Sequence, residues 1–131
     1  MPSKSIPQPT DAELEILCVL WTRGPSTVRG VFDAISMNKK TGYTTVLKFM
    51  QIMAGKGLVK RDERNRTHIY RASLAEEQTH RGLLHDLLNR AFGGSREKLL
   101  LSALDATKTT PAELDAVRKM LARQVKQTKR D

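Results

Sequence analysis

One cysteine, Cys18, stands in 131 residues, which excludes an internal disulfide and any Cys-rich zinc or copper cluster. Aromatic residues make up 5% of the chain and hydrophobic residues 39%, so the core is globular but modest. No apolar run approaches the ~20 residues of a membrane span, and the stretch Met1 to Pro7 lacks the apolar region of a signal peptide. Carboxylates are also scarce, with 14 Asp and Glu against 23 Lys and Arg, a net charge of +9. That imbalance favours a polyanionic partner. HExxH, GxxxxGK[ST] and GxSxG are all missing. The expectation is a small, soluble, cytoplasmic protein with room for one domain, or for a small domain and an assembly arm.

What the chain does contain is helical punctuation. Residues 1–9 hold three prolines and no periodicity, and read as a flexible arm. Thr10-Asp11-Ala12-Glu13 is a capping box. Leu14, Leu17, Cys18 and Trp21 follow at helical spacing until Gly24-Pro25, which predicts a first helix with Cys18 buried and inert. Ser26 or Thr27 can cap a second helix with Val28, Val31, Phe32 and Ile35 on one face. A polar turn over 36–42 leads to a third helix, about Tyr43 to Gly55, with the stripe Val46, Phe49, Met50 and Met53. Its opposite face carries Thr44, Lys48, Gln51 and Gly55, unlike the Glu/Lys mixture of an ordinary solvated helix. Gly57 ends it. Leu58 to Arg61 and Thr67 to Arg71 then read as strands around the polar tip 62–66.

The predicted fold is mainly α with a small β-hairpin wing. A winged helix-turn-helix DNA-binding domain over residues 10–73 precedes a helical dimerisation region over 74–131. In the second region, a helix from roughly Leu74 to Phe92 closes at Gly93-Gly94, and a shorter one begins at Ser95. A last helix opens at the capping box Thr110-Pro111-Ala112-Glu113. Leu114, Val117, Leu121 and Val125 make a narrow seam suited to one partner helix. Leu84, Leu87, Leu88, Leu100, Leu104, Leu114, Val117 and Leu121 are the expected dimer residues, because these helices carry more leucine than a monomeric arm readily covers. The competing arrangement is a self-contained three-helix bundle under the wing.

For nucleic acid, the third helix supplies the chemistry. Thr44 and Thr45 can touch phosphates or a thymine methyl, Gln51 can pair with adenine, and Lys48 suits a guanine edge or a phosphate. Arg64 and Arg66 on the hairpin tip can reach a flanking groove, and Lys39 and Lys40 add sequence-independent attraction. A two-fold dimer would read both halves of an inverted repeat in double-stranded DNA. Two other classes compete. A winged-helix adaptor would bind protein and show no preference among DNA sequences. A metal-dependent activity would need Glu76, His80 and His85 together, yet His80 and His85 point about 140° apart on one helix. No catalytic residue, metal site or cofactor is expected.

The chain resembles the penicillinase-repressor (BlaI/MecI) family of bacterial winged-helix repressors from about Thr10 to Lys126. The likeness rests on Glu13-Leu14-Glu15-Ile16-Leu17 with Leu20-Trp21, on Thr27-Val28-Arg29-Gly30-Val31, and above all on Gly42-Tyr43-Thr44-Thr45-Val46-Leu47 followed by Lys56-Gly57-Leu58-Val59. The resemblance implies a homodimer repressing transcription from palindromic operators, with DNA contacts at Tyr43, Thr44, Thr45, Lys48, Arg64 and Arg66. It also implies relief through a membrane sensor-protease pathway that cuts the C-terminal arm. Three features depart from the family pattern. Ile52 and Gly55 replace charged residues late in the third helix, which points to a different operator preference. Ser102-Ala103 stands where the best-known relatives are cut between Asn and Phe. The paired-Cys tail of copper-responsive relatives is missing.

Overall fold

The computed structural model describes residues 7–106 and 108–130. The expected flexible arm falls outside the described residues as far as residue 6. Beyond that point the Gln8 amide lies against Gly82, where an added Cβ would stand 3.1 Å from Gln8 Nε2.

Thr10 opens α1 (Asp11–Arg23) through the predicted reciprocal cap. Glu13 N donates to Thr10 Oγ1 at 3.3 Å, and Thr10 N donates to Glu13 Oε1 at 3.0 Å. The buried stripe is a correction to the sequence reading. Glu13, Ile16, Leu17 and Leu20 face inward, and Cys18 is exposed rather than buried. Leu17 belongs to both possible stripes, so apolar spacing alone could not choose between them. The choice falls to Glu13, which is buried because Lys56 Nζ meets its Oε2 at 2.7 Å. At Cys18, partial burial of the thiol, then the carboxylates of Glu76 and Glu15, raise the pKa and keep the sulfur protonated. Gly24 ends α1 at φ 86° and ψ −170°, a conformation open essentially to glycine alone.

Thr27 caps α2 (Val28–Ser36), its Oγ1 accepting from Gly30 N at 3.0 Å. Next, α3 (Tyr43–Lys56) buries Val46, Met50 and Met53. Gly57 closes α3 in the left-handed region at φ 86°, and Leu58 N reaches back to Met53 O at 2.9 Å. Strands β1 (Val59–Asp62) and β2 (Ile69–Ala72) pair antiparallel, with Val59 opposite Ala72 and Arg61 opposite Tyr70. Both strands sit slightly later in the chain than the spacing predicts, because the α3 closing turn takes Leu58 and the tip extends through His68. The linker adds a bridge that no local pattern announced. Ser26 N donates to Tyr70 O at 2.9 Å, and Tyr70 N donates to Ser26 O at 2.8 Å.

The core joins all of these elements: Ile16, Leu17 and Leu20 from α1, Val31 and Ile35 from α2, Met50 and Met53 from α3, and Leu58, Val59 and Tyr70 from the hairpin. Full burial of each such side chain contributes about 1.5–3 kcal/mol. Helix α4 (Glu76–Ala91) starts later than the predicted Leu74. Leu74 instead accepts a hydrogen bond from Trp21 Nε1 at 3.0 Å, and the Trp21 ring meets His80 edge-on at 6.0 Å between centroids. These contacts belong to the first of two compact units, Met1–His85.

The second unit, Asp86–Asp131, holds the end of α4 and the helices α5 (Arg96–Ala106) and α6 (Pro111–Arg130). Ser95 Oγ accepts from Lys98 N at 3.2 Å, and Thr110 with Glu113 forms the second predicted capping box, at 3.0 and 3.1 Å. Leu88 is buried. By contrast, Leu87, Leu100, Leu104, Leu114, Val117 and Leu121 are exposed, as is Leu84 in the first unit, along with Leu101, Met120 and Val125. Among the described residues, no helix is long and apolar enough to cross a membrane.

Candidate nucleic-acid interface

The sequence of α3 determines which face it buries. Val46, Met50 and Met53 turn inward, which leaves Thr44, Thr45, Lys48, Gln51, Ile52 and Gly55 exposed on the other side. At about 100° per residue, Lys48 stands at the centre of that face. Thr45 and Ile52 flank it on one side, Thr44 and Gln51 on the other, with Gly55 two turns further along. The helix contains no carboxylate in its 14 residues. Gly42 precedes it without any side-chain cap, so its first amides stay available to an acceptor from outside.

Two predicted cations are held within the protein. Lys39 Nζ lies 2.9 Å from Glu15 Oε1. On the wing, Arg64 grips Asp62 through Nη2 at 2.6 Å and Nε at 3.0 Å. Those hydrogen bonds push the Asp62 carboxyl down to about 2. Arg61 similarly meets Glu63 at 2.6 Å. Lys40, Lys48, Lys60 and Arg66 form no ion pair among the described residues. On α3 and the hairpin tip, the cations without an ion pair among the described residues are Lys48 and Arg66.

Tyr43 and Arg66 share a cleft of about 420 Å³ between α3 and the hairpin, together with Arg29, Leu47, Gln51 and His68. The Tyr43 ring packs edge-on against Phe32 at 5.7 Å, and the Arg29 guanidinium lies 5.6 Å from the same Phe32 ring. Nothing in the local sequence pattern singles out Arg29. It lies on α2, and only the fold brings it beside the third helix.

The geometry at the histidines is different. His80 Nε2 lies 3.7 Å from Glu76 on an exposed helix face. No group of three or more His, Cys, Asp or Glu side chains could hold a metal among the described residues. Ser102 and Ala103 are exposed on α5.

Known proteins show the same plan. The penicillinase repressor family model matches residues 9–123. A transcriptional regulator BlaI of Mycobacterium tuberculosis is 34% identical over 114 residues, which cover 86% of this chain and 81% of that protein. The penicillinase repressor of Bacillus licheniformis is 24% identical over 118 residues, 90% of this chain and 92% of the relative. The solution structure of the DNA binding domain of the repressor BlaI superposes with a TM-score of 0.50 at 26% identity, covering 56% of this chain and 90% of that domain. A winged helix followed by C-terminal helices, matched over nearly its whole length, places this chain in the penicillinase repressor family.

Proposed function

We propose that this chain is a transcriptional repressor that binds an inverted-repeat operator in double-stranded DNA as a homodimer. The observation that carries the reading is the outward face of α3. It is exposed, free of carboxylates and centred on Lys48, and at Gln51 it meets the cleft that Arg66 lines; neither Lys48 nor Arg66 forms an ion pair among the described residues. Repression by occupancy needs no catalytic step. Phosphate neutralisation supplies affinity, while base edges and duplex shape supply sequence preference.

Each contact has a chemical role. Lys48, at the centre of the face, donates to a guanine edge or a phosphate, and Gln51 offers the paired donor and acceptor that adenine requires. Thr44, Thr45 and the uncapped amides of α3 hold a phosphate at the helix start. Tyr43, braced on Phe32, and Arg66 extend the surface toward the wing. Lys40 adds charge that is indifferent to sequence.

The dimer is built from the exposed apolar residues after the wing. On α6, Leu114, Val117, Met120, Leu121 and Val125 are 40–56% exposed in one chain, a seam that water does not favour. A second copy of α6 covers it and doubles the DNA contacts. Release follows from the same layout. Ser102 and Ala103 precede α6, so a signal-dependent cut there detaches that seam from the DNA-binding unit.

Footprinting of the region upstream of the gene tests this directly. The expected result is two protected half-sites about one helical turn apart, in a complex of two protomers per duplex. Protection without discrete boundaries would instead support the protein-binding adaptor with only general affinity for DNA.

A further inference from the structure

Two residues in the second half of α3 are poorly chosen for a helix that faces only water. Gly55 lies inside α3 without a positive φ, and a Cβ added there would meet nothing within 4 Å. Neither backbone conformation nor internal packing requires glycine, yet glycine weakens a helix relative to alanine. Ile52 is 40% exposed. Met37, Tyr43 and Ile52 are the large hydrophobic side chains exposed between residues 7 and 73. Tyr43 rests on Phe32, and Met37 lies beyond the end of α2. Ile52 alone stands on the same face as Lys48.

One occupant accounts for both residues. Ile52 and Gly55 are three residues apart, about 4.5 Å along the axis, on the flank and far end of the Lys48 face. A surface approaching closely at Gly55 would collide with any side chain there, and it must offer Ile52 an apolar patch. The absence of carboxylates from α3, a Lys48 without an ion pair among the described residues and the net charge of +9 favour an anionic surface as well. The major groove combines these properties, because its rim is phosphate and thymine presents a methyl group within it.

We infer that Ile52 and Gly55 form a specificity element that reads a thymine methyl in the operator, Ile52 by apolar contact and Gly55 by admitting the duplex closely. This rests on the proposed DNA-binding function and refines it. The first turn of α3 fixes register on the backbone, Lys48 and Gln51 make polar base contacts, and the last turns select thymine by shape.

The test uses the full chain and the duplex that it enriches from a random-sequence library. That duplex is prepared with thymine and again with deoxyuridine, which lacks only the 5-methyl group. The wild-type protein should bind the deoxyuridine duplex about fourfold more weakly per half-site, the transfer free energy of one buried methyl group. Ile52→Ala should bind the thymine duplex more weakly and lose most of the difference between the two. Lys48→Ala should weaken both equally and keep the wild-type ratio. Gly55→Ala should melt at a higher temperature yet bind the enriched duplex less tightly, a pair of opposite signs that a structural role would not produce.

An unchanged thymine-to-deoxyuridine ratio in Ile52→Ala overturns the assignment of Ile52, and full operator affinity in Gly55→Ala overturns that of Gly55. Enrichment of duplexes without thymine overturns both while leaving the repressor standing. Failure to enrich any sequence removes the DNA-reading function and this element together. Altered self-association of Ile52→Ala with intact DNA binding would give the face to a second copy and refute the inference.

Discussion

Lys56→Met should destabilise the protein more than Glu13→Gln, although both break the same ion pair. Glu13 is 2% exposed and receives Lys56 Nζ at 2.7 Å and Thr10 N at 3.0 Å. Removing the lysine strands a buried carboxylate, a loss of 3–5 kcal/mol when both partners are fully buried. A third of the Lys56 side chain remains exposed (33%), so the expected loss is smaller, about 2 kcal/mol. Glu13→Gln keeps an acceptor for Thr10 N and lets Lys56 turn to water, at a cost of about 1 kcal/mol. The double variant should resemble Glu13→Gln, so the two changes are not additive. Urea unfolding followed by Trp21 fluorescence at one protein concentration measures all four proteins.

The acid dependence gives a second readout of the same pair. Burial raises the Glu13 pKa, but the hydrogen bonds from Lys56 and Thr10 and the charge of Lys56 outweigh it and leave it lowered. In the wild type this contribution is present above the unfolded pKa and is lost as pH falls through the lower folded value. Without Lys56 its hydrogen bond and its charge no longer lower the pKa, while burial still raises it, so the folded pKa is higher than in the wild type. The variant therefore has less of this stabilisation to lose as pH falls, and the gap to wild type narrows. Additive losses, or a gap that is constant between pH 7 and pH 3, would refute the reasoning.

Four further outcomes follow from the same geometry. Arg66→Ala should weaken binding to the proposed operator without altering self-association, and lower the magnitude of the salt slope by about one per half-site contact. Asp62→Asn, by releasing Arg64 from its forked ion pair, should tighten binding to any duplex and steepen the slope, both visible in a salt titration. Gly24→Ala should cost about 1–3 kcal/mol, measured by urea unfolding, because its φ of 86° with ψ of −170° suits glycine alone. Val117→Asp on α6 should shift sedimentation toward the monomer while leaving the folding of the first unit unchanged.

Local chemistry was the legible part of this fold. Both capping boxes, the buried stripe of α3 and the glycine that closes it follow from residues within a few positions of each other. Contacts between distant segments were not legible. Leu17 serves two possible stripes on α1, and only the pairing of Glu13 with Lys56, 43 residues away, chooses between them and leaves Cys18 outside. Ser26 reaches Tyr70 by a backbone bridge that no side-chain pattern encodes. At the candidate interface, the α3 residues were visible as an unusual helix face, and the wing arginines as charge. What the sequence could not separate was Arg64, gripped by Asp62, from Arg66, two residues on and unpaired. That difference depends on how the hairpin tip turns, as does the placement of Arg29 beside Tyr43.

Competition between the native upstream duplex and a base-shuffled duplex, across a salt series, separates a sequence-reading repressor from a merely basic surface. Sequence reading predicts a preference of roughly a thousandfold or more for the native sequence. It also predicts two protomers per site and a log–log salt slope of roughly −8, as expected for ~4–5 phosphate contacts in each half-site. Equal affinity for the two duplexes with the same steep slope would contradict it, leaving a basic surface without a sequence to read.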